Sequence, residues 1–141
     1  MIGETSIVVR ILVVDDDPWV SEAIVAHLRR PGFKIKVTEG PDAGMQALAA
    51  STFDLMLIDI FMPNMRGYQS IRLFHERAPA IPLIAMSAHG FSELSASSQN
   101  YLKTVRDLGA TRFLRKPFTP ITLRAAVNEC LAGPGKAAAR P

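Results

Sequence analysis

The sequence holds a single cysteine, Cys130, so no internal disulfide can staple the fold. That thiol falls on the apolar side of an expected helix, where it acts as a small hydrophobe rather than a reactive group. No apolar run approaches the roughly 20 residues a bilayer-spanning helix requires. The opening stretch, MIGETSIVVR, lacks the basic start, apolar centre and small-residue cleavage site of a secretory leader. These absences point to a cytoplasmic protein without a membrane partner. Zinc-ligand spacing, a short helix-turn-helix pair and an aromatic RNA-binding signature are also missing. The net charge of +3 is a small excess, although Arg106, Arg112, Arg115, Lys116 and Arg124 gather in the last third. Direct nucleic-acid binding is not expected.

What the chain does have is length for one well-packed domain, with 141 residues of which 48% are hydrophobic. Its pattern centres on FDLMLIDIFMPNMRG, from Phe53 to Gly67. Leu55 to Ile58 reads as a strand buried on both faces, delivering one carboxylate, Asp59, at its end. Pro63, Asn64 and Gly67 then turn the chain. Taken alone, Asp59 is better explained as an aspartate satisfying loop amides where a strand stops than by chemistry.

The rest alternates in the same way. Ile7 to Val14 is apolar and β-branched apart from Arg10, and ends in Asp15, Asp16 and Asp17. Pro18 suits a first helical turn capped by Asp17, with Val20, Ala23, Ile24, His27 and Leu28 on one face. That stripe makes His27 a partly buried, hydrogen-bonded residue. Phe33 to Thr38 alternates as an edge strand does, and Pro41 and Asp42 begin an alanine-rich helix. Tyr68, Ile71, Phe74 and His75 follow at helical spacing, with His75 solvated or interfacial. Pro82 to Met86 is a fourth strand leading to Ser87, Ala88 and His89. Only the second half of Gly90 to Gly109 reads as firmly helical, because Ser92 to Ser98 is poor in helix formers. Thr111 to Arg115 is a fifth strand, closed by Lys116 and Pro117, and a last amphipathic helix runs through Leu123, Ala126, Val127, Cys130 and Leu131. The expected division is an N-terminal extension over 1–6, one domain over 7–132, and a flexible tail or start of a linker over 133–141.

Five strand–helix units imply an α/β fold with a parallel sheet, covered on both faces by right-handed crossovers. Every strand then ends on one edge. Asp15, Asp16, Asp59, Ser87 and Lys116 all reach that edge, where ligands collect in such folds. Clustered carboxylates take up protons unless a cation sits among them, and oxygen-only donors suit Mg²⁺. A carboxylate beside that ion is a nucleophile toward phosphorus, with Lys116 and Ser87 placed to stabilise the phosphoryl oxygens.

The acidic run after the first strand, LIDIFMPNMRG, MSA after the fourth and RKPF resemble the receiver (REC) domain of two-component system response regulators, over about Val8 to Leu131. The resemblance implies a flavodoxin-like, doubly wound five-stranded sheet of order 2-1-3-4-5 with five helices. That order is taken over from the family. It implies that Asp59 is the phosphoacceptor, loaded in a Mg²⁺-dependent reaction by a sensor histidine kinase or a histidine phosphotransfer protein. Asp16 would bind Mg²⁺ directly and Asp15 largely through water, with Asp59 and the backbone carbonyl of Phe61 completing the set. Lys116 would pair with Asp59, and a cis bond before Pro117 would aim it. Ser87 and Phe113 stand at the switch positions, Phe113 being equally at home as a core aromatic. Phe61 and His89 occupy variable positions that shape access of an attacking water, and bulky Phe61 is expected to slow hydrolysis.

The segment between Ser87 and Lys116 exceeds the family norm, so the identity of the downstream protein effector does not transfer. A phosphorylation-dependent homodimer is one further output. No enzymatic or DNA-binding stretch follows Leu131, so the chain reads as a signalling module, not an enzyme, acting on no substrate but itself. It is either a stand-alone regulator or a piece of a hybrid kinase or longer regulator. Two alternatives stand beside this. One is a non-phosphorylated pseudo-receiver scaffold. The other is a Mg²⁺-dependent phosphatase, disfavoured because Phe61 sits where such an enzyme places its second acid.

Overall fold

The computed structural model describes residues 7–62, 69–88 and 103–139. Its strands are β1 (Val9–Val14), β2 (Phe33–Thr38), β3 (Leu55–Asp59), β4 (Leu83–Ser87) and β5 (Arg112–Arg115). Between them run α1 (Pro18–Leu28), α2 (Pro41–Ala50), α3 (Gln69–Arg77), α4, whose described residues are 103–107, and α5 (Pro120–Ala139). All strand pairs are parallel, in the order β2-β1-β3-β4-β5. The expected sheet order and five helices are therefore the observed ones.

Alternation along the strands divides the core in two. Leu12, Val14, Met56, Ile58, Leu83 and Ala85 face Ala47 and Leu48 of α2, Ile71 and Phe74 of α3 and Val105 of α4. Ile11, Val13, Leu57, Ile84 and Met86 face Ile24 and Leu28 of α1 and Leu123, Val127 and Cys130 of α5. β3 is buried along its whole length. Burial of each large apolar side chain contributes about 1.5–3 kcal/mol, so the strand carrying Asp59 is anchored from both sides. The Cys130 thiol is buried and pushed up to about 11 by loss of solvent, as suits a packing residue.

Two glycines set the spacing of the helices. At Gly44 in α2, a Cβ would lie 2.8 Å from both Phe74 Cζ and Val14 Cγ2, so the helix backbone rests directly on β1 and α3. Gly109 has φ of 122°, and a Cβ there would run into the His75 side chain. Both requirements favour glycine there, conformational at Gly109 and steric at both.

Local details depart from the sequence expectations at several points. His27 is exposed, not partly buried, and Ser21 takes the inward position instead. Broad apolar content in α1 leaves its rotation ambiguous from spacing alone. β1 begins at Val9, two residues later than expected, and Ile7 is solvent-exposed. α5 is interrupted at Gly133, where φ of 68° and ψ of 158° break the helical path. Pro63, Asn64, Gly67, Tyr68, His89 and the serine-rich stretch from Ser92 to Ser98 lie outside the described residues, as does the extension over 1–6.

Candidate functional site

The edge formed by the strand ends brings together the five residues expected there from sequence. Asp15 follows β1 and is buried, held by two backbone links. Its own N–H donates to Thr38 O at 3.1 Å, and its Oδ1 accepts from Asp17 N–H at 2.8 Å. Asp17 in turn caps α1, its Oδ1 accepting from Trp19 N–H at 2.9 Å ahead of Pro18 in the first turn. The run of three aspartates thus has separate tasks. One points into the site, Asp16 sits exposed at its rim, and one starts the helix.

Asp59 is the last residue of β3 and is buried. Ile60 N–H donates to Met86 O at 3.0 Å, fixing the strand end against β4. Ser87 closes β4 with no exposure, and its carbonyl accepts from Lys116 N–H at 2.9 Å. The backbone of the hydroxyl residue and that of the lysine are therefore tied together. The Lys116–Pro117 peptide is cis. Phe113, in β5, is half-buried against the α2–α3 side of the core, and Phe61 is 41% exposed beside the site.

Lys116 lies between the two buried carboxylates. Its Nζ is 2.7 Å from Asp15 Oδ2 and 3.4 Å from Asp59 Oδ1, so it sits closer to Asp15 than to the expected Asp59. No signal in the sequence distinguishes these two partners, since both aspartates end neighbouring strands. The Lys116 ammonium is the close partner of the buried Asp15 Oδ2. Asp59 Oδ1 also accepts a long 3.4 Å bond from Phe61 N–H.

One ammonium does not balance two buried carboxylates. Burial, then the nearby Asp15 charge, pushes the Asp59 carboxyl up from 3.8 to about 6, against the opposing pull of Lys116 and the Phe61 amide. Burial likewise raises Asp15, opposed by Lys116 and the Asp17 amide. Asp15, Asp16 and Asp59 each offer a carboxylate oxygen within 4.8 Å of the others. A hard divalent cation fits this set. The donors are all oxygen, and the local charge remains negative with Lys116 in place.

The response regulator receiver domain family matches residues 11–128. The chain is a receiver domain of the response regulators. Among its curated relatives, the transcriptional activator protein PfeR of Pseudomonas aeruginosa is 34% identical over 86% of this chain and 37% of its own length. The transcriptional regulatory protein DltR of Streptococcus agalactiae is 32% identical over 84% of this chain and 50% of its own. Among solved structures, a CheY-like response regulator receiver domain protein from Methanospirillum hungatei is 27% identical, with a TM-score of 0.71, covering 88% of this chain and 94% of that one.

The receiver domain spans half or less of the length of these curated relatives. A DNA-binding transcriptional regulator, NtrC of Escherichia coli, is 35% identical, but only 21% of its length is covered. With relatives of this kind, the expectation that no nucleic acid is involved finds no support. No helix among the described residues is long and apolar enough to cross a membrane.

Proposed function

We propose that this receiver domain takes a phosphoryl group onto Asp59 from a phosphohistidine of a sensor kinase or phosphotransfer protein, and signals through a surface altered by that modification. The observation that carries this reading is the pairing of buried Asp59 with Asp15 and Lys116 at the end of a strand anchored on both faces. A carboxylate with its charge only partly balanced, held at a strand end, is a suitable oxygen nucleophile. In the transfer, the donor's P–N bond breaks as a P–O bond to Asp59 forms, and the imidazole keeps the bonding electrons.

Asp15, Asp16, Asp59 and the Phe61 carbonyl would hold Mg²⁺, which supplies charge neutralisation between the carboxylates and the incoming phosphoryl oxygens. The chain's own groups do the rest. Lys116 offers a cation next to Asp59 Oδ1, and the Asp17 amide keeps the Asp15 carboxylate oriented. Ser87, at the end of β4, would donate its hydroxyl to the added phosphoryl group. Because the Ser87 carbonyl already accepts from the Lys116 amide, movement of one residue is felt by the other. Phe113, one strand over, would follow that movement inward. Phe61 and His89 would govern access of water to the acyl phosphate.

Incubation with Mg²⁺ and acetyl phosphate, followed by intact mass, tests this. A gain of one phosphoryl group by the parent chain, absent in Asp59→Asn and abolished by EDTA, is expected. No gain under these conditions would reject phosphotransfer and leave a scaffold that signals by binding alone.

A further inference from the structure

Three cations away from the acidic edge have no role in the chemistry above. Arg10 is the one charged residue in β1, and strand alternation puts it on the face shared by Leu12 and Val14, against α2. Its cross-strand neighbour in β2 is Lys34, and Lys36 lies on the same face two positions further on. The three line an open groove of about 770 Å³ between β2 and α2, walled by Ala43, Ala47 and Ala50.

Like charges directly opposite on neighbouring strands repel. Among the described residues no ion pair joins any of the three to an acid. Asp54 accepts from the Arg10 main-chain N–H at 2.9 Å, and Glu39 is the single acid lining the groove. Charged residues on an edge strand guard against unwanted pairing, which accounts for the two lysines. It does not account for Arg10. β1 is paired on both sides, by β2 and β3, and Arg10 is half-buried on the face it shares with Leu12 and Val14. Among the described residues β2 pairs with β1 alone, and its outer row of N–H and C=O groups has no strand beside it.

We propose that this groove is a docking site for an acidic, extended segment of a partner protein, which adds to the free edge of β2 and sets carboxylates against Lys34 and Lys36, with Arg10 one strand further in beside Lys34. In a strand, side chains on one face recur about every 6.6 Å, which matches the Lys34–Lys36 separation to alternate acidic residues. A small anion would satisfy only part of the row. Single-stranded nucleic acid is favoured by exposed stacking aromatics, and the groove's single aromatic, Phe53, is buried. Strand addition with side-chain selection by charge is an established mode of peptide recognition. None of its cations takes part in the chemistry proposed at Asp59.

The test uses the full chain and a labelled, capped hexapeptide alternating glutamate and valine, followed by fluorescence anisotropy. Saturable, salt-sensitive binding is expected, with slowed amide exchange in β2. The double variant Lys34→Glu, Lys36→Glu alters exposed positions and keeps the fold, checked by circular dichroism. It should weaken binding by at least about tenfold, and Arg10→Gln should weaken it in the same direction. Absence of saturable binding, equal binding of a lysine–valine peptide, or unchanged affinity in the double variant would overturn the proposal. So would displacement of the peptide by millimolar inorganic phosphate alone, or tighter binding of a single-stranded oligonucleotide of equal length.

Discussion

Replacing Asp59 by asparagine isolates the energetic cost of holding a second carboxylate beside Asp15. The side chains are close in shape, and the amide keeps an oxygen for the Phe61 N–H, but the charge is gone. In the folded chain the Asp59 carboxyl titrates at about 6 rather than 3.8. Each tenfold in proton affinity is worth about 1.4 kcal/mol, so ionised Asp59 opposes folding by about 3 kcal/mol in the absence of metal. The sign follows from proton counting. Between pH 3.8 and about 6 the folded state binds the proton more than the unfolded state does, so stability contributed by this group is present below 3.8 and is lost as pH rises through 6. Asn cannot lose a proton and escapes that loss. Urea unfolding in EDTA at pH 7.5 should therefore show Asp59→Asn more stable than the parent by about 3 kcal/mol, a midpoint increase of about 1–2 M. At pH 4 the two should nearly coincide, and Mg²⁺ at pH 7.5 should narrow the gap by stabilising the parent. An equal gain at both pH values, or no gain at 7.5, would refute the reasoning that charge crowding at Asp59 is relieved by protonation or a cation.

Lys116→Ala should lower the neutral-pH stability of the metal-free chain by about 3 kcal/mol, because Asp15 and Asp59 then lack their buried cation. The loss should shrink in acid, and urea midpoints across pH measure it. Gly44→Ala should cost about 1–3 kcal/mol through the close approach to Phe74 and Val14, read as a lower thermal midpoint with phosphorylation still competent. Phe61→Ala, at a partly exposed position beside the site, should shorten the lifetime of the phosphorylated form after donor removal, followed by intact mass over time.

Some parts of this molecule are written in short stretches of sequence, others in contacts between distant ones. β3 was legible because five consecutive buried positions leave no polar face, and Asp59 was legible because the apolar run ends on it. Asp17 as a cap was legible from the proline that follows it. The orientation of α1 was not. Its apolar residues are spread widely enough that spacing alone put His27 inward, and packing put Ser21 there instead. The convergence of Asp15, Asp59 and Lys116 on one edge follows from parallel topology. Which carboxylate lies nearer the ammonium depends on strand register and side-chain reach, and no local pattern encodes that. Arg10 was visible as an exception within an apolar strand. Its meaning appears only when Lys34 is found opposite it.

The most direct test of the central claim is to locate the modified residue itself. After loading with acetyl phosphate and Mg²⁺, the acyl phosphate is trapped by borohydride reduction and the chain is mapped by tandem mass spectrometry. The account predicts a single reduced position, Asp59, with Asp15 and Asp16 unmodified. Reduction at Asp15 or Asp16, or in Asp59→Asn to the same extent as in the parent, would contradict it.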